Sequence, residues 1–237
     1  MLAPDRPSEN HLLDALPEEV REHLAHHLER VAMPLGRVLY ESGAPVHEAY
    51  FPTSSIISMH RLMENGSAAE VALVGPEGML GLSLFLGAER PNTEVSVQSP
   101  GHAFKMPARA LKEEFVRGGA LMQVLLRYTQ TFIAQMAQTA ACNRHGTLEQ
   151  RLCRWLLLNL DRVPSGELTM THELIANALG VRREGVSEAA GRLQRQGAIH
   201  YHRGHLSLLD RPVLERQACE CYRMDRRRAE QPLVMSR

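Results

Sequence analysis

The chain has 237 residues, 44% of them hydrophobic, with 27 basic and 27 acidic side chains and four cysteines. That length suits one large domain or two modest ones. There is no run of about 18 apolar residues, so no membrane-spanning helix and no membrane partner is expected. The polar residues 1–10 lack the apolar centre of a signal peptide, and four cysteines in so long a chain make no disulfide framework, so a reducing cytoplasm is the expected compartment.

The zero net charge hides an asymmetry. Residues 1–143 carry 11 basic and 16 acidic side chains, a net of −5, whereas residues 144–237 carry 16 basic and 11 acidic, a net of +5. Every basic residue of the second part is arginine, the better fork for phosphates and guanine edges. A sign change between halves suggests two domains with different partners, although +5 alone fits a solvated, mildly basic face.

In chain order, residues 11–33 have helical apolar spacing at Leu13, Leu16, Val20, Leu24, Leu28 and Val31, with Pro17 suited to open a helix. After Pro34 the pattern becomes short apolar runs divided by Gly, Pro, Asn and Ser. Strands are expected at residues 37–40, 48–51, 56–62, 68–74, 93–97 and 102–106. Turns are expected at Ser42-Gly43, Asn65-Gly66, Gly75-Pro76 and Ser99-Pro100-Gly101. Many short strands with glycine-rich turns imply a sandwich, jelly roll or small barrel.

From Ala108 the period is helical again. A short helix precedes a long one over residues 120–144 that has no Pro or Gly and two apolar stripes. One stripe is Leu121, Leu125, Tyr128 and Phe132; the other is Met122, Leu126, Ile133 and Met136. A surface helix needs one stripe. Two stripes fit a helix between its own β domain and a partner helix, or a helix buried in a single core. A further helix follows, with Trp155 and four leucines as its core.

The stretch "THELIANALGVRREGVSEAAGRLQRQGAI" then places Ala176, Gly180 and Val186 at helix-turn-helix spacing. Thr171 is a good N-cap, Gly180 can take the left-handed turn, and Gly197 closes the second helix. Val186, Ala189, Ala190 and Leu193 face inward, leaving Arg182, Arg183, Glu184, Ser187, Glu188 and Arg192 to meet DNA. Two short strands around Arg203-Gly204 follow and make the unit a winged helix, with Arg203 on the wing.

A roll of short strands, a long helix and a winged helix resemble the bacterial Crp/Fnr transcription regulators over nearly the whole chain. The residues that carry the resemblance are "VRREGVSEAAGRLQRQGAI", like that family's recognition helix, and "VGPEGMLGLSLFLGAE", like the glycine-rich part of its cyclic-nucleotide roll. The resemblance implies a homodimer through the long helix, here by Leu126, Ile133 and Met136, on a near-palindromic double-stranded DNA site, with RNA polymerase as a further partner. It places Arg183 on guanine, Glu184 on cytosine N4, and Thr171 and His172 beside backbone phosphates. Its effector pocket maps onto Gly78, Gly81, Leu82, Ser83, Asn92 and Thr93.

The departures from the family carry their own expectations. The family's cyclic-AMP sensors use a Gly-Glu pair for the ribose; here the pair is Gly81-Leu82. Where an arginine should hold the phosphate the chain reads "RPNTEVSV": Arg90 comes too early and Glu94 repels a phosphate. Cyclic AMP is therefore not expected as a cofactor. No cysteine precedes Cys142, so an iron–sulfur cluster is not expected either. Glu188 stands where the cyclic-AMP regulator has a base-reading arginine, which implies a different DNA site.

The remaining clusters have plain readings. Cys219 and Cys221 have no second pair or histidine at zinc spacing and are taken as structural. Cys142, His145 and Cys153 are assigned to helix packing, with no metal site expected. His23, His26 and His27 share one helix and are taken as solvated, and haem ligation by a histidine of the roll stays open. No nucleophile–base pair stands out, so no enzyme is expected.

The expected class is α+β: a jelly-roll sensor over residues 1–118, a long dimerisation helix over 119–144, and a winged helix-turn-helix over 145–237. The leading reading is a DNA-binding regulator whose roll answers an unidentified signal. Two others stand beside it: a constitutive regulator whose roll has lost its ligand, and an interaction module whose winged helix serves protein contacts.

Overall fold

A computed structural model of the chain describes residues 7–63, 68–88, 90–163 and 165–229. The described residues form two compact units, one within 7–59 and 74–133, the other within 60–73 and 134–229.

The first unit opens with a 3-10 turn, Pro7–Glu9, and two short helices, α1 (His11–Asp14) and α2 (Glu18–Ala25). The strands of the roll are β1 (Glu29–Met33), β2 (Val38–Tyr40), β3 (Glu48–Pro52), β4 (Ile56–Leu62), β5 (Ala68–Val74), β6 (Glu94–Ser99) and β7 (Gly101–Pro107), with α3 (Ser83–Leu86) before β6; β4 beyond Met59 and β5 up to Leu73 fall in the second unit. They form two sheets, ordered β1-β7-β3 and β2-β6-β4-β5. Buried Phe51, Phe104, Met106, Ile56, Ile57, Val95 and Val97 come from both sheets and make the core. Lys105 on β7 bridges Glu29 on β1 (3.0 Å) and Glu48 on β3 (3.1 Å), so the charges follow the strand pairing. Asn10 pins the start of α1. Its side-chain oxygen accepts from the Leu12 and Leu13 amides, and its Nδ2 donates to the carbonyls of Pro52 (2.8 Å) and Gly78 (2.9 Å). Both ends of a fully buried amide are thereby satisfied.

One helix of the sequence reading needs correction. The apolar spacing over residues 11–33 predicts helix to the end, but α2 stops at Ala25 and Glu29–Met33 is strand β1, paired with β7 from Glu29↔Lys105 to Met33↔Gly101. Five residues of mixed polarity fit either period, and the ladder offered by β7 decides between them. The expected turn at Asn65-Gly66 lies outside the described residues.

Helix α4 (Ala108–Arg117) leads into α5 (Ala120–His145), 26 residues long. Its first stripe is buried: Leu121, Leu125, Tyr128 and Phe132 are 0–5% exposed. The second is not: Leu126 is 45%, Ile133 55% and Met136 37% exposed.

In the second unit, α6 (Leu148–Leu160) starts from a capping box in which Thr147 and Gln150 satisfy each other's backbone amides. Every residue from Leu152 to Leu160 on it is buried. Two of those are polar anchors. The Trp155 indole N–H donates to Glu70 on β5 at 2.8 Å, and Arg154 donates twice to Asp225 (3.0 and 2.8 Å) and once to Thr139 (3.2 Å). The unit continues with β8 (Glu167–Thr169), α7 (His172–Leu179), α8 (Arg183–Arg195), β9 (Ile199–His202), β10 (His205–Leu208), α9 (Arg211–Gln217) and α10 (Glu220–Ala229). Its sheet has the order β8-β10-β9. Strand β8, absent from the sequence reading, is three residues long and pairs antiparallel with β10, with Leu168 opposite Leu206.

Among the described residues no helix is long and apolar enough to cross a membrane.

Candidate nucleic-acid interface

Helices α7 and α8 meet across a three-residue turn set by Gly180, whose φ of 63° is the left-handed conformation that glycine takes at least cost. Its amide and that of Val181 close α7 on the carbonyls of Ala176 and Asn177, and Arg151 of α6 donates to the Leu179 carbonyl. Thr171 caps the other end, its hydroxyl accepting from the Leu174 amide at 3.1 Å. Ile175, Ala176 and Leu179 of α7 and Val186, Ala189, Ala190 and Leu193 of α8 are buried. Small side chains at 176, 189 and 190 let the two helices pack closely.

Burying that stripe turns the opposite face of α8 outward. Arg182, Arg183, Glu184 and Glu188 are exposed there, with Arg182 and Arg183 at the helix start. A helix N-terminus bearing arginines adds side-chain charge to the unpaired amides and positive dipole end that already favour phosphate. The wing turns through Arg203 (φ 48°) and Gly204 (φ 84°), the two positive-φ residues of a tight hairpin joining the pair His202↔His205. Arg203 is exposed at its tip.

Three expected DNA residues make contacts inside the unit that sequence did not reveal. His172 Nδ1 lies 2.8 Å from Ser187 Oγ, whose own proton is donated to the Arg183 carbonyl. The His172 ring stacks on Tyr201 of β9 at 4.3 Å, and Tyr201 donates to the Met170 carbonyl. Burial first, and then the Arg183 charge, push the His172 pKa down and favour the neutral ring, whose buried Nε2 has no hydrogen-bond partner among the described residues. The histidine thus braces α7, α8 and the wing with its ring. Arg192 donates to Glu149 of α6 at 2.9 Å and is half-buried. Thr171 is exposed at the mouth of α7 beside these groups.

The residues read as an effector pocket lie in the first unit, on the β5–α3 connection and before β6. Gly78 is packed so closely by Tyr128 of α5 that a Cβ would fall on the phenol hydroxyl, and that hydroxyl donates to the Met79 carbonyl at 3.1 Å. A Cβ on Gly81 would meet the Tyr40 hydroxyl at 3.3 Å and the Ala49 backbone at 3.3 Å. Leu82 and Ser83 start α3 and are half-buried, Asn92 is exposed and Thr93 half-buried. Arg90 donates to the Gly43 carbonyl at 3.1 Å.

Two comparisons of sequence meet this geometry. Residues 150–217, which run from within α6 to the end of α9, match the Crp-like helix-turn-helix domain, and residues 30–117 match the cyclic nucleotide-binding domain. The chain belongs to the Crp/Fnr family of transcription regulators. Its matched relatives include the transcriptional regulator LdrP of Thermus thermophilus, 32% identical over 131 residues that cover 50% of this chain and 67% of that protein. The global nitrogen regulator of Synechococcus elongatus is 24% identical over 192 residues, covering 77% of this chain and 86% of that one. The fold of FixK2 from Bradyrhizobium japonicum superposes with a TM-score of 0.71 at 16% identity, over 81% of this chain and 98% of that one. The winged helix of this Crp/Fnr protein is thus its DNA-binding domain.

The same unit holds a cluster that sequence reading set aside as structural. Cys142, in the last turns of α5, and Cys219 and Cys221, at the start of α10, have their sulfurs within 4.8 Å of one another. Cys142 Sγ lies 3.0 Å from Cys219 Sγ. The hydrogen bond from Cys142 brings the Cys219 thiol down to about 6 against the opposing effect of burial, helped by Cys221 and the amides of Cys221 and Tyr222, while the Cys142 thiol is pushed up in return. The separation of 77 positions between Cys142 and Cys219 hid the cluster; only the C-x-C spacing could have pointed to it.

Proposed function

We propose that this Crp/Fnr regulator works as a homodimer on a near-palindromic DNA site, with Arg183 and Glu184 reading base edges and Thr171, Arg182, Ser187, Glu188, Arg192 and Arg203 placed along the groove and backbone. The observation that carries the reading is the polarity of α8: one face buries Val186, Ala189, Ala190 and Leu193, and the other exposes Arg182, Arg183, Glu184 and Glu188. An interaction module needs no such arginine-led helix start, so protein docking by the winged helix is the weaker reading. Two-fold symmetry follows from the DNA, whose half-sites repeat once per helical turn. It is supported on the protein side by the exposed stripe Leu126, Ile133 and Met136. His172 and Arg192 act here by holding the recognition helix in place as well as by facing the duplex. RNA polymerase is the further partner that a transcription regulator of this kind engages.

The test is selection of bound duplexes from a random library at one fixed salt concentration. Arg183→Ala should cost about 1–3 kcal/mol at the preferred site and relax preference at one base pair per half-site. An unchanged preference with lower affinity overall would make Arg183 a phosphate contact and displace α8 from the groove.

Cyclic AMP is not the effector in this reading. Leu82 offers the ribose no carboxylate, Arg90 is held on the Gly43 carbonyl, and Glu94 would face the phosphate. An anionic phosphate buried without a partner is too costly to bind. Calorimetry with cyclic AMP should give no saturable heat at micromolar concentration; a stoichiometric micromolar isotherm would overturn the assignment. Residues 1–118 remain the sensor, for a ligand other than cyclic AMP.

A further inference from the structure

Three sulfur atoms within 4.8 Å of one another form a donor set, not a packing accident of scattered thiols. Metal–sulfur bonds of about 2.3 Å put three sulfurs about 4 Å apart around a common centre. The Cys142–Cys219 pair, at 3.0 Å, is already closer than that, so a small opening of the pair seats an ion. The donor chemistry narrows the ion. No histidine, aspartate or glutamate joins the group among the described residues, whereas structural zinc and iron–sulfur clusters each take four protein ligands. Thiolates alone select soft ions. Three of them around one cation leave excess negative charge, and the Arg154 guanidinium acts electrostatically on both Cys142 and Cys221. An entry path exists as well: Cys219 is half-exposed, and Cys142 lines a crevice together with Thr139, Arg151 and Arg154.

We propose that Cys142, Cys219 and Cys221 form a three-thiolate site for a soft monovalent metal ion, of which copper(I) is the natural probe. Binding displaces the thiol protons and staples the last turns of α5 to the first turn of α10. All three sulfurs come from the second unit, and none of the residues read as the effector pocket is among them. The site does not rest on the DNA-site reading above.

The full chain, reduced and handled under nitrogen, is titrated with copper(I) against bicinchoninate. The expected result is one copper per chain held against the chelator, a thiolate-to-copper absorption in the near ultraviolet and a sulfur-only first shell by X-ray absorption. Cys142→Ser, Cys219→Ser and Cys221→Ser should each weaken binding at least about tenfold. Cys153→Ser, a buried thiol of α6 outside the cluster, should leave stoichiometry and affinity unchanged. Far-ultraviolet dichroism and binding to a selected duplex show that each variant is folded; a variant that is not folded is replaced by the alanine substitution at the same position. Loss of all copper to the chelator overturns the site. So does retention of tight one-to-one binding in any of the three cluster variants, or reduced protein that forms a Cys142–Cys219 disulfide in air yet takes up no copper under nitrogen.

Discussion

Replacing Ile133 and Met136 together with glutamate should give monomers at micromolar concentration and lower affinity for a two-half-site duplex by about 10²–10⁴-fold. The two side chains are 55% and 37% exposed on α5, in line with Leu126 at 45%: Ile133 lies one heptad after Leu126 and Met136 three residues further on the same face. Apolar groups repeated at those intervals on a 26-residue helix make a seam for a second helix. The stripe on the other side, Leu121, Leu125, Tyr128 and Phe132, is already buried within the chain. Charged groups on the exposed seam would have to be desolvated beside their symmetry mates, which the dimer cannot compensate. Once monomeric, each winged helix binds its half-site without the effective concentration that the dimer supplies. Sedimentation velocity and gel shift measure the two effects separately. Wild type that sediments as a monomer at micromolar concentration, or a double variant that stays dimeric, would remove α5 as the interface.

The second large effect concerns stability. Arg154 and Asp225 are 7% and 8% exposed and joined by two hydrogen bonds to one carboxylate oxygen. Asp225→Ala leaves the guanidinium buried, still donating to the Thr139 hydroxyl but with its carboxylate gone. Breaking a buried pair from one side costs about 3–5 kcal/mol. Urea unfolding followed by far-ultraviolet dichroism should show that loss. Arg154→Met combined with Asp225→Leu removes both charges and should recover most of it, because desolvation of the pair roughly cancels its attraction. A loss below about 1 kcal/mol for Asp225→Ala would mean the pair is solvated, as surface ion pairs are.

Sequence reading carried the helix-turn-helix a long way, because its signals are local. Gly180 in a left-handed turn, Thr171 as a cap and the inward set Val186, Ala189, Ala190 and Leu193 all follow from chemistry within a few residues. The strands divided by Gly, Pro and Asn were legible for the same reason, as was the absence of a carboxylate at Leu82. Strand β1 was misread as helix because five residues of mixed polarity carry no decisive period, and its partner β7 is some seventy residues away.

What the tertiary structure alone decided is which groups meet across long stretches of chain. The sequence showed two apolar stripes on α5 and could not rank them; packing buries Leu125 and Tyr128 and leaves Leu126 and Ile133 outside. The same holds for His172 on Ser187 and Tyr201, for Arg154 on Asp225, and for Cys142 beside Cys219 and Cys221. Local propensity and period depend on neighbours three or four residues apart, and so the sequence by itself determined the family and the helix-turn-helix. Contacts between residues tens of positions apart arise only when the chain closes on itself, since the loop entropy that separates them is repaid by packing and by hydrogen bonds to specific partners.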